Sequence, residues 1–155
     1  MILARTVSSL VKMTAVIAVV TVIGGCDHTP TSPSNNAPFS QTDLRLGTGT
    51  EAIAGELITV NYTGWYYNAA NADQKGASFD SSLGTTSFSF VLGVGEVIAG
   101  WDTGVAGMKV GGIRRLIVPP SLAYGRARNG PIPPNATLLF EIELLSVGLE
   151  ETGGD

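Results

Sequence analysis

The strictest pattern in this 155-residue chain lies near its end, where Leu138, Phe140, Ile142 and Leu144 alternate with Leu139, Glu141, Glu143 and Leu145. Successive side chains of a strand point to opposite faces, so the run predicts a strand with one face in a core. A second run, Leu57 to Tyr67, puts Ile58, Val60 and Tyr62 on one face and Thr59, Asn61 and Thr63 on the other. Shorter strands are expected at Ala77 to Asp80, at Ser87 to Leu92 with Phe88 and Phe90 sharing a face, and at Ile113 to Val118, which Pro119-Pro120 stops. Leu83 to Thr86 reads as a turn or bulge. Only Val97 to Ala106 has helical spacing, through Val97, Ile98, Trp101 and Val105. Gly100 and Gly104 lower its propensity, so packing on a sheet must hold it. Four or five antiparallel strands with one short helix across a face make a small α+β domain.

Apolar residues are unevenly spread. Sixteen of the first 25 residues are hydrophobic, whereas residues 27–43 hold only Ala37 and Phe39 of that kind. Arg5 and Lys12 precede an uncharged run, Met13 to Gly25, that is shorter than the roughly 20 residues of a membrane-spanning helix. A cationic start and a short apolar run fit a secretion signal. Ile23-Gly24-Gly25-Cys26 is similar to a bacterial lipoprotein box, which makes Cys26 the expected lipid attachment point. As the only cysteine it forms no internal disulfide.

Residues 26–43 then read as a disordered tether rich in Pro, Ser, Thr and Asn, with His28 alone and solvated. The domain is expected at 44–147 and a polar tail at 148–155. Without Arg5 and Lys12 the chain keeps 7 basic against 13 acidic residues. That balance argues against a nucleic-acid partner. Membrane affinity has to come from lipid, with the domain on the extracytoplasmic side of a bacterial envelope (the periplasmic side in a Gram-negative cell).

Seven short blocks follow one another in the domain. They are Tyr62-Thr63-Gly64-Trp65, Phe79-Asp80-Ser81-Ser82, Phe88 to Gly93, Glu96 to Trp101, Gly107 to Gly112, Ala123-Tyr124-Gly125 and Ile132 to Leu138. Each is common alone. In this order, over about residues 44–147, they resemble the FK506-binding protein (FKBP) family of peptidyl-prolyl isomerases. The resemblance implies an α+β fold in which a strongly bent five-stranded antiparallel sheet wraps one short helix around an aromatic pocket for a proline ring. It implies Trp101 as the floor, Tyr62, Phe88 and Phe140 as walls, and Phe79, Val97, Ile98 and Ile132 as further lining. Tyr124 then supplies a hydroxyl to a substrate or macrolide carbonyl, the backbone N–H of Ile98 is a second donor, and Asp80 is the polar group at the edge.

Rotation about an X–Pro bond needs no nucleophile, metal or cofactor, so the absence of a Ser–His–Asp set, a Cys–His pair or a metal cluster agrees with this activity. The expected partners are proline-containing polypeptides and FK506-like macrolides, and the expected state is a monomer. A proline-binding module with little turnover, or a purely structural lipoprotein, are the rival readings. Three departures from the family pattern stand out: a longer Trp65 to Lys75 loop, a short loop after Gly125 with no inserted domain, and Pro131 in place of an aliphatic residue. Arg126 and Arg128 flank the pocket and suggest a preference for acidic substrate segments.

Overall fold

A computed structural model describes residues 35–148. The leader, Cys26, most of the tether and residues 149–155 lie outside the described residues. Six strands form one sheet that is antiparallel at every pairing: β1 Ser40–Arg45, β2 Leu57–Tyr67, β3 Lys75–Ser81, β4 Phe88–Val91, β5 Ile113–Val118 and β6 Leu138–Gly148. The order across the sheet is β1-β5-β6-β2-β3, with β4 also paired to β2. β4 takes Leu57 to Val60 of β2, and β3 takes Thr63 to Tyr67. The two short strands therefore share one edge, and the six segments fill five positions. The turn expected at Leu83 to Thr86 is the break between them.

Two expectations need correction. The stretch expected as tether contains the start of β1, since Ser40 to Asp43 pair with Ile117 to Arg114 of β5. The side chains of β1 are mostly exposed, so it carries no apolar alternation and is held by backbone hydrogen bonds to its neighbour. A domain cut at residue 44 would lose most of this strand. At the other end β6 continues to Gly148, one residue into the expected tail.

The helix α1, Ala99–Val105, is shorter than the span expected from spacing. Ile98 has an extended backbone (ψ 145°), and Gly107 turns the chain at φ 76°. Seven residues do not sustain a helix alone. Gly100 and Gly104 explain how this one is held: they let the helix axis lie close on β5. A Cβ on Gly100 would stand 2.4 Å from Val118 Cγ1, and one on Gly104 would stand 2.6 Å from Leu116 Cδ2.

The core lies between α1 and the inner face of the sheet, where Ile58, Val60, Leu116, Val118, Ile142 and Leu144 are fully buried. Arg114 lies on this same inner face of β5 and is only 7% exposed. Its Nη1 donates to the carbonyls of Gly104 (2.8 Å) and Ala106 (3.1 Å) at the end of α1. Its Nε and Nη2 donate to the carboxylate of Asp43 on β1, at 2.6 and 3.2 Å. The next residue, Arg115, faces the other side and pairs with Glu141 at 2.7 Å, a carboxylate that Lys75 also reaches at 2.9 Å.

Candidate active site

Four strands and the helix bring aromatic side chains together around Trp101. Trp101 on α1 is 5% exposed. Its ring meets Tyr62 of β2 at 5.0 Å and 78°, and Phe140 of β6 at 5.3 Å and 88°. Phe79 of β3 stands edge-on to Phe140 at 5.7 Å and 87°. Such edge-to-face pairs are the favourable arrangement of aromatic quadrupoles. Gly64 permits the Phe79–Phe140 contact: it lies opposite Phe140 in the sheet, and a Cβ there would come within 2.7 Å of Phe79 and 3.0 Å of Phe140. Phe88 of β4, 41% exposed, stacks on the buried Phe90 at 5.6 Å and extends the wall outward.

Above Trp101 opens a cavity of about 620 Å³. All ten residues singled out from the sequence line it: Tyr62, Phe79, Asp80, Phe88, Val97, Ile98, Trp101, Tyr124, Ile132 and Phe140. Glu96, Asn129 and Pro131 complete the wall and were not among the assigned site residues. Two supporting residues were also missed. Phe90 backs Trp101 at 5.7 Å, and the hydroxyl of Tyr66 donates to the carbonyl of Pro131 at 2.8 Å, pinning the rim. Period-two spacing from Tyr62 through Gly64 to Tyr66 was the signal available for the second.

The polar groups are few and have distinct states. Tyr62 donates its hydroxyl proton to Asp80 Oδ2 at 2.6 Å, while Asp80 Oδ1 accepts the N–H of Ser81 at 2.9 Å. Burial, followed by the hydrogen bond and charge of Asp80, holds the Tyr62 hydroxyl far above the ordinary tyrosine range. Burial, and then the charge of Asp80, also raises Tyr124. Both phenols are therefore neutral donors at physiological pH.

Tyr124 spends its hydroxyl on no hydrogen bond among the described residues. The carbonyl of Ile98 accepts from the N–H groups of Trp101 (2.8 Å) and Asp102 (3.3 Å), and, independently, the Ile98 N–H has no acceptor among the described residues. Glu96 is occupied, accepting the N–H of Val91 at 2.9 Å. The indole N–H of Trp101 is buried with no oxygen or nitrogen acceptor among the described residues, enclosed by aromatic rings.

The lining contains no Ser, Cys, His or Lys. What the cavity offers is an aromatic floor and walls, with two unspent donors among its lining residues, the Tyr124 hydroxyl and the Ile98 N–H.

Comparison with known proteins agrees with this geometry. Residues 49–145 match the family described as FKBP-type peptidyl-prolyl cis-trans isomerase. An FK506-binding protein of Neisseria meningitidis serogroup A is 51% identical over 107 residues, which cover 68% of this chain and 92% of the relative. FK506-binding protein 1B of Neurospora crassa is 46% identical over 99 residues, covering 63% and 88%. Among solved structures, that of AtFKBP13 superposes with a TM-score of 0.60 at 38% identity, covering 70% of this chain and 91% of the other. FkpA from Escherichia coli gives 0.61 at 37% identity, covering 72% and 48%.

Proposed function

The chain belongs to the FKBP-type peptidyl-prolyl cis-trans isomerase family, and we propose that it works as a lipid-anchored isomerase of the bacterial cell envelope, turning X–Pro bonds in exported polypeptides. The observation that carries the site assignment is the aromatic cage on Trp101, with unspent donors on Tyr124 and Ile98 at its wall. Rotation about X–Pro meets a barrier of about 20 kcal/mol because amide resonance is lost in the twisted state.

In the proposed mechanism the proline ring lies on Trp101 between Tyr62, Phe88 and Phe140, with Phe79, Val97 and Ile132 closing the slot. Moving the bond out of water disfavours the charge-separated planar amide. Tyr124 and the Ile98 N–H then hold the flanking carbonyls in the twisted geometry, binding the transition state more tightly than either ground state. Asp80 takes no proton in this scheme. Its part is to fix Tyr62 through the 2.6 Å hydrogen bond. The same slot would take FK506-like macrolides, with the rim stiffened by Pro131.

The cellular placement is supported by the run Met13 to Gly25, the segment Ile23-Gly24-Gly25-Cys26 and the polar residues that follow. Turnover is tested by NMR exchange on short X–Pro peptides with the full chain. A rate no higher than the spontaneous one, from a folded chain that still binds a macrolide, would leave a binding module in place of an enzyme. Placement is tested by labelling cells with a radioactive fatty acid: Cys26→Ser is expected to abolish incorporation and release the protein from membranes.

A further inference from the structure

The chain that lines the first cavity with Tyr124 goes on to line a second one. The next two residues, Gly125 and Arg126, line a second concavity of about 690 Å³, whose other walls include Pro119, Pro120 and the segment Ala37-Pro38. Arg126 is the only charged residue on its described wall. Tyr124 and Arg126 are separated by at most about 7 Å of backbone. An extended peptide advances about 3.3 Å per residue. A chain with its proline over Trp101 that crosses Tyr124 thus brings a residue two or three places from the proline up to Arg126.

The loop that carries Arg126 is anchored at several points. The N–H of Gly125 donates to Pro120 O and the N–H of Asn135 donates to Gly125 O, both at 2.8 Å. Asn129 and Ile132 exchange backbone hydrogen bonds at 3.0 and 2.8 Å. Arg126 and Arg128 therefore project from a fixed base, and both are exposed.

Their charges are also unspent. Of the seven Lys and Arg among the described residues, Arg45, Lys75, Arg114 and Arg115 each hold a carboxylate, and Lys109, Arg126 and Arg128 do not. The first cavity, by contrast, carries the carboxylates Asp80 and Glu96. Each is already engaged, with Tyr62 and with the Val91 N–H respectively. The two concavities thus differ in sign, with the unpaired positive charge of Arg126 on the second.

We infer that Arg126, with Arg128 beside it, makes the enzyme select proline segments that carry a carboxylate two or three residues from the proline. The inference rests on the isomerase activity and adds a substrate class to it.

The test uses the full chain in a non-ionic detergent. Protease-free NMR exchange is measured on peptides with Gln, Glu or Lys placed two and three residues before, or after, a single proline. Turnover of the Gln peptides establishes the isomerase independently. The expected Glu-to-Lys ratio of kcat/KM is about two- to five-fold on one side of the proline, the range of a solvent-exposed ion pair. It should fall to near unity in 1 M salt, where the screening length is about 3 Å. The double reversal Arg126→Glu with Arg128→Glu should invert it. A ratio near one in the native chain with the Gln peptides turned over would overturn the inference. So would a ratio that survives the charge reversal. No turnover of any peptide would remove the isomerase reading and this inference with it.

Discussion

Asp43→Ala tests whether burial decides the worth of an ion pair here. Asp43 holds Arg114 through two contacts of 2.6 and 3.2 Å, and the same guanidinium caps the last carbonyls of α1. With Asp43 gone, Arg114 keeps two neutral acceptors and loses its counter-charge while remaining almost wholly buried. Removing one partner of a buried pair costs about 3–5 kcal/mol. The Asp43 side chain is 35% exposed, so water enters the gap and the expectation falls to about 2–3 kcal/mol.

The molecule supplies its own control. Arg45–Glu143 has the same 2.6 Å separation, but its side chains are 52% and 34% exposed. Glu143→Ala should therefore cost only about 0.2–1 kcal/mol. Denaturant unfolding of the full chain measures both. In thermal melts the difference is roughly 8–12 °C for Asp43→Ala against at most about 4 °C for Glu143→Ala. Asp43→Asn, which keeps one acceptor oxygen, should fall between native and Asp43→Ala. Equal costs for the two alanine variants would refute the reasoning, because distance alone would then set the value of these pairs.

Tyr124→Phe should lower kcat/KM about 2- to 12-fold, the worth of one hydrogen bond, and leave the unfolding midpoint unchanged, since the hydroxyl bonds to nothing within the described chain; matched melts and peptide exchange rates check both halves. Gly100→Ala gains about 1 kcal/mol of helix propensity yet should destabilise by about 1–3 kcal/mol, because the added carbon would sit 2.4 Å from the stiff, branched Val118; denaturant unfolding reads the sign. Burial opposes ionisation of Glu141, but the hydrogen bonds and charges of Arg115 and Lys75 outweigh it and hold its pKa below the ordinary carboxylate value of 4.5. A lowered folded-state value stabilises the native state above the unfolded pKa and loses that contribution as pH falls. Stability should accordingly decline from about pH 5 downward, and Glu141→Gln should flatten that decline in a series of denaturant melts.

Most of the cavity was readable from residue order. Alternation alone marked Tyr62, Phe88 and Phe140 as sharing the faces of apolar strand residues, and the other seven lining residues were legible only through the resemblance carried by the ordered blocks. The residues that escaped are of a different kind. Phe90 looked like a neighbour of Phe88 on a shared face, and only its place behind Trp101 separates a support from a wall. Glu96 and Asn129 are polar residues in turns, where sequence offers no pattern to say which way a side chain faces. β1 was missed because an exposed edge strand is held by its backbone, and Ser40–Arg45 is polar enough to pass for tether.

The adjacent arginines mark the boundary between the two levels. Residue types and spacing by themselves determined five of the six strands, the short helix and the aromatic inventory, since these depend on local periodicity and on side-chain chemistry. Strand alternation also separates Arg114 from Arg115. What it leaves open is which arginine goes inward and what receives it there. The tertiary structure decided that Arg114 is buried, that it caps α1, and that its counter-ion is Asp43, 71 residues away. Such pairings arise only when the sheet closes and excludes water, because a charge has to find its partner across the fold before the cost of burying it can be met.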